Sequence, residues 1–154
     1  MIPKKIIDFL QEREFISVAT SDLSGLPNAA PKMLLRVEGS CLYLIDYTIG
    51  TTYRNLRVNP RLSLSFMDLK TLVGYQINGR VEIIEKGKVY ESMLQELRRK
   101  EIELSITRVV EGIKAEKSHE AFEVAITEHL VIFRVAMDEL VEIGPHGGLK
   151  REEI

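Results

Sequence analysis

The residues best suited to chemistry lie between Lys32 and Asn78. Thr51 and Thr52 stand where a helix ahead of Asn59-Pro60 should begin, and a helix N-terminus offers unpaired N–H donors and a positive dipole end. Their amides and hydroxyls suit the grip of a phosphate, beside the plainer reading in which threonine only caps the helix. Lys32, Leu34 and Arg36 alternate along a strand and so share one face, with the two cations about 13 Å apart at ~3.3 Å per residue. One of them suits a phosphate and the other a ring or a substrate; the plainer reading is two solvated charges on an edge strand. Asp46 and Tyr47 close the next strand, where Tyr47 offers an aromatic wall and a hydroxyl. Gln76 and Asn78 lie on the polar face of a long strand, placed for hydrogen bonds to a ring edge or a second subunit. Polar outward residues are the default there.

Other chemistries find little support. His119, His129 and His146 form no metal-ligand pattern, and Cys41 is remote from them in sequence. There is no nucleophile elbow, P-loop or dinucleotide-binding glycine pattern, and neither Asp68 nor another carboxylate forms an evident acid/base pair. No catalytic acid or base is assigned. With 21 Lys and Arg against 23 Asp and Glu, no bulk field draws the chain to nucleic acid or a membrane. No secretory pattern or run of about 18 apolar residues occurs, and a single cysteine excludes an internal disulfide. A cytoplasmic location is expected.

The 154 residues are expected to form one domain spanning 1–154. A short helix should cover Ile2–Gln11, then strands Phe15–Thr20, Asn28–Val37 and Cys41–Ile45, the first closed by the turn chemistry of Asp22 to Gly25. A helix over Thr51–Val58 should precede strands Leu62–Met67 and Val73–Ile84. A helical excursion is expected over about 88–126, first through Tyr90, Met93, Leu94 and Leu97. Ile102, Ile106, Val109, Val110 and Ile113 mark a second helix or a continuation, and Ala121–Ile126 suits helix or strand. A last strand should run through Leu130–Val135, resume after a break at Leu140–Ile143, and leave a flexible tail over 144–154. Six or seven strands on short connections argue for an antiparallel barrel, and the helices make the class α+β.

A resemblance gathers these residues. The run Asn28 to Arg36, then Leu42 to Tyr47, then Gly50-Thr51-Thr52-Tyr53-Arg54-Asn55-Leu56-Arg57-Val58-Asn59-Pro60-Arg61-Leu62-Ser63-Leu64, and finally Gly79-Arg80-Val81, resembles the flavin-binding half of the pyridoxamine 5′-phosphate oxidase-like proteins. The resemblance implies a split β-barrel of about six strands with flanking helices, assembled as a homodimer that holds FMN between subunits. It implies that the backbone around Met33-Leu34 lines the flavin ring and that Arg36 falls near flavin and substrate. Lys32, Asp46, Tyr47, Thr51, Thr52 and Gln76 complete the implied cofactor set. An FMN-dependent oxidoreductase or electron carrier follows from it, with substrate and redox partner unassigned. Related barrels use a deazaflavin or a haem instead, and a non-enzymatic flavin-storage dimer is a further alternative. The sequence departs from the family at Thr51-Thr52, where relatives carry a Lys or Arg-Lys, and at Gly74, where the oxidases place a glutamine. It also has no Trp and lacks the Arg- and Trp-rich C-terminal segment of the oxidases, so true pyridoxine phosphate oxidation is not expected.

Overall fold

A computed structural model describes residues 2–114 and 129–154. Each expected strand is present: β1 (Phe15–Ser21), β2 (Pro27–Glu38), β3 (Cys41–Asp46), β4 (Arg61–Asp68), β5 (Val73–Ile84) and β6 (Val131–Ile143). All pair antiparallel in the order β3-β2-β1-β4-β5-β6, and β6 pairs back onto β3, which closes a six-stranded barrel. This is the α+β split barrel. Its interior takes alternate residues of every strand, among them Val18, Leu34, Leu44, Leu64, Ile77 and Phe133. Helices α1 (Lys4–Gln11) and α2 (Thr51–Val58) add Ile6, Leu10 and Leu56 to the same core.

Two regions depart from the sequence expectation, and both involve β6. The expected break between Val135 and Leu140 is a β-bulge within one continuous strand: Asn78 opposes Glu139 while Gly79 opposes Met137, leaving Asp138 as the extra residue. The expected tail is a seventh strand, β7 (Leu149–Glu153), which pairs with the far half of β6 from Glu139 to Ile143. One edge of β6 is therefore shared, its first half by β3 and its second by β7. Asp138 marks the handover. Its carboxylate takes a forked bond from Arg80, with Nε–Oδ2 and Nη2–Oδ1 both at 3.1 Å, and its carbonyl accepts from Ile154 N–H at 2.9 Å.

The bulge explains Gly79. A Cβ there would stand 2.5 Å from the Ala136 carbonyl oxygen and 2.9 Å from Val135 Cγ1, closer than any real side chain approaches backbone. Gly79→Ala should lower the unfolding free energy by about 2–3 kcal/mol, since the obstructing atom is backbone and β6 would have to move. Urea unfolding checks it, and an unchanged midpoint would mean that β6 yields freely at the bulge.

Residues 85–129 form a second compact unit. Within it, α3 (Lys88–Lys114) is one continuous helix rather than two. Ile102, Ile106, Val109 and Val110 are exposed on it. The stretch Ala121–Ile126 lies outside the described residues.

Candidate functional site

Helix α2 begins as its sequence suggests, with a difference at the cap. Gly50, not a threonine, is the N-cap residue, and no side chain caps the helix. Gly50 brings no side chain to cap the first N–H groups of α2. Thr51 is exposed beside them, and Arg54 follows one turn later on the same face, its Nη2 donating to Thr51 Oγ1 at 2.8 Å. A hydroxyl, a guanidinium and a helix N-terminus therefore converge. Thr52 belongs elsewhere. It is 2% exposed and accepts a hydrogen bond from Asn28 Nδ2 at 3.1 Å, so its hydroxyl faces the barrel rather than the rim. Behind it, Asn55 Nδ2 donates to Thr20 Oγ1 at 3.2 Å, tying α2 to β1.

The pair of cations on β2 is divided by a second bulge. The β2–β3 register shifts between Leu34 and Arg36, so Leu35 is the extra residue and the faces exchange beyond it. Lys32 and Leu34 point into the barrel; Arg36 points out. The expectation that the two cations share a face fails for this reason. Lys32 is 5% exposed and donates to Asp46 Oδ1 at 2.7 Å, a buried ion pair rather than a solvated charge. Arg36 instead lies over the Tyr43 ring at 4.9 Å and bonds Glu38 at 3.0 Å. The strand register places Arg134 on the other side of Tyr43. Hydrogen bonds to Glu82, foremost, and to Tyr43 raise the Arg134 pKa above the usual guanidinium value.

Tyr47 Oη donates to Met33 Sδ at 3.2 Å, so these two outward side chains stand together. Gln76 stands apart from them, on the far side of the closed barrel, since β5 is three strands from β2 in either direction. It belongs to a chain in which Gln76 Nε2 donates to Asn78 Oδ1 at 2.9 Å and Asn78 Nδ2 to Glu139 Oε2 at 2.6 Å. Arg151 on β7 closes the chain onto Glu139 Oε1 at 3.1 Å. The Asn78 and Arg151 bonds, in that order, hold the Glu139 carboxyl below the usual range. A cleft of about 620 Å³ opens beside this network, lined by Ser21, Asn59, Arg61, Ser63, Asn78 and Glu139 among others.

Three groupings result: Thr51 with Arg54 at the start of α2, Lys32 with Asp46 inside the barrel, and Met33 with Tyr47 outside it. Arg54 was missed in the sequence, though its place one helical turn after Thr51 was the available signal. Thr48 was also missed; its hydroxyl and N–H bond Asp46 Oδ1 at 2.8 and 3.1 Å, and the Asp-x-Thr spacing favours such a turn. Among the described residues no cluster of metal-ligating side chains occurs, and no helix is long and apolar enough to cross a membrane.

Comparison with known proteins bears on this arrangement. No curated protein matches the chain. Among solved structures, HupZ of Group A Streptococcus is 20% identical, with a TM-score of 0.65 over 94% of this chain and 96% of that one. A pyridoxamine 5′-phosphate oxidase-related, FMN-binding protein of Nostoc punctiforme is 14% identical, with a TM-score of 0.58 over 100% and 97% of the two chains. An F420 reductase is 19% identical, with a TM-score of 0.57 over 90% and 98%. At these identities the likeness is one of fold. The sequence pattern of pyridoxamine 5′-phosphate oxidase matches residues 2–132, most of the chain, and so this protein belongs to the pyridoxamine 5′-phosphate oxidase family.

Proposed function

We propose that the protein binds FMN as a homodimer and works as an FMN-dependent oxidoreductase or electron carrier, not as a pyridoxine phosphate oxidase. The observation that carries the reading is the side-chain-uncapped N-terminus of α2 with Thr51 and the Arg54 guanidinium beside it. A phosphate there would take helix N–H bonds, the Thr51 hydroxyl and a charge-assisted bond from Arg54. Arg54 supplies the cation that Thr51-Thr52 lacks. Tyr47, half-buried and backed by the buried Met33, would wall the ring. When bound, the flavin supplies the electron transfer; the chain supplies phosphate grip, ring orientation and shielding from water. The glycine at position 74, where the oxidases place a glutamine, supports a substrate other than a pyridoxine phosphate.

The second subunit is proposed on the outer face of β2, β1 and β4. There Ala29, Ala19 and Ser63 stand in one cross-strand row and Pro31, Ser17 and Ser65 in the next. Side chains this small leave a flat surface that a second sheet can approach closely. A deazaflavin is the second reading, favoured by the F420 reductase among the structural neighbours.

The test is a titration of the purified protein with FMN, followed by absorbance and flavin fluorescence, with sedimentation on the same samples. Quenched flavin fluorescence at one flavin per subunit in a dimer is expected, with no turnover of pyridoxamine phosphate. A haem Soret band, preference for a deazaflavin, a stable monomer or no bound chromophore would each refute the leading reading.

A further inference from the structure

Lys32 and Asp46 form an ion pair inside the barrel, and taking two charges out of water is costly enough that what they hold in place matters. Asp46 is fully buried, and its Oδ1 accepts three hydrogen bonds: Lys32 Nζ at 2.7 Å, Thr48 Oγ1 at 2.8 Å and Thr48 N–H at 3.1 Å. Asp46 Oδ2 is buried without a partner, so the charge depends on Lys32 for compensation. Ile49, the residue after Thr48, has φ of 44°. For a β-branched side chain this left-handed backbone is strained and persists only where the surroundings enforce it. Gly50, the N-cap of α2, follows at once. A single connected path thus leads from Lys32 through Asp46 and Thr48 to the first turn of α2, and Tyr47 rides on it.

We propose that Lys32 and Asp46 are a buried clamp that sets the strained turn from Tyr47 to Gly50, and that Lys32 serves the flavin through Asp46 rather than by touching the phosphate. Lys32 is then a positioning residue. The proposal rests on the flavin reading above, because the turn carries both the ring wall at Tyr47 and the phosphate end at Thr51.

Urea unfolding, FMN titration and riboflavin titration of the wild type, Lys32→Met, Asp46→Asn and the double Lys32→Met/Asp46→Asn test it. Each single variant should lower the urea midpoint and weaken FMN and riboflavin by comparable factors of about ten or more, because a lone buried charge disturbs the whole turn. The double variant keeps an oxygen at position 46 for Thr48 and removes both charges, so it should regain most of the midpoint and most of the affinity for both flavins. If the single variants do not fold, the double alone decides by the same criterion. Loss of FMN affinity with riboflavin spared, in Lys32→Met or in the double, would make Lys32 a phosphate ligand and overturn the clamp, as would additive urea midpoints. If the wild type binds neither flavin, the flavin reading falls. The urea cycle then still judges the clamp, upheld by non-additive midpoints and overturned by additive ones.

Discussion

Phe133→Ala should lower the unfolding free energy by about 3–5 kcal/mol, the range for removing a buried phenylalanine and leaving a cavity. Phe133 is fully buried in β6 and stands opposite Leu44 of β3 on one side and Ile83 of β5 on the other. It therefore packs at the seam where the sheet closes on itself, and truncation leaves both neighbouring strands facing a void. Phe133→Leu keeps most of the volume and should cost no more than about 1.5 kcal/mol. The measurement is the urea midpoint at constant m-value. If alanine and leucine cost the same, the cavity argument fails, and the seam is held by backbone pairing rather than by side-chain packing.

β1 and β4 were legible in the sequence because they carry the two-residue alternation of a half-buried ladder, and β3 as a short continuous apolar run. Leu62, Leu64 against Ser63, Ser65 in β4 is the plainest case. What that alternation hides is a bulge. One extra residue reverses the faces beyond it without changing the composition of the strand. This is why Lys32 and Arg36 read as sharing a face, and why the stretch between Val135 and Leu140 reads as a break. Gly79 marks the place in β5 opposite the β6 bulge, since only glycine tolerates the Ala136 carbonyl at such a distance, but alternation alone reads it as one more strand position. The tail misled for a different reason: Gly144, Gly147 and Gly148 suit a flexible segment and a tight turn equally well. Gly147, at φ of 80°, lies in the turn that brings β7 back onto β6.

The site was legible to the level of the element and not of the side chain. The start of α2 was correctly located, yet position 52 faces inward and position 54 faces the rim, a difference fixed by 3.6 residues per turn once the buried face is known. Leu56 lies one turn beyond Thr52 on that buried face, with Asn55 beside it, which is the pattern that would have settled the choice. Lys32 was harder. A lysine in a strand is ordinarily solvated, and its burial depends on Asp46, fourteen positions away, which only the register of β2 and β3 brings opposite.

The exposed guanidinium of Arg54 gives the sharpest test of the phosphate site. Arg54→Gln should weaken FMN by about tenfold to a hundredfold, corresponding to the roughly 1.5–3 kcal/mol of a charge-assisted hydrogen bond. Arg54→Glu should weaken it further, through repulsion between the new carboxylate and the phosphate. Stability should scarcely change, since Arg54 is exposed and, among the described residues, bonds through its side chain to Thr51 on its own helix. Riboflavin has no phosphate and should bind all three proteins alike, which separates loss of a phosphate contact from damage to the ring site. Added salt should narrow the difference between wild type and variants if the rim is open to solvent, because the contact is then screened over about 8–10 Å. Thr52→Lys makes the contrasting control. A lysine there cannot reach the rim from a position that is 2% exposed and bonded to Asn28, so it should destabilise the fold without tightening FMN. Were Thr52→Lys to tighten FMN while Arg54→Gln left it unchanged, the phosphate would lie on the other face of α2, and Arg54 would be a surface residue.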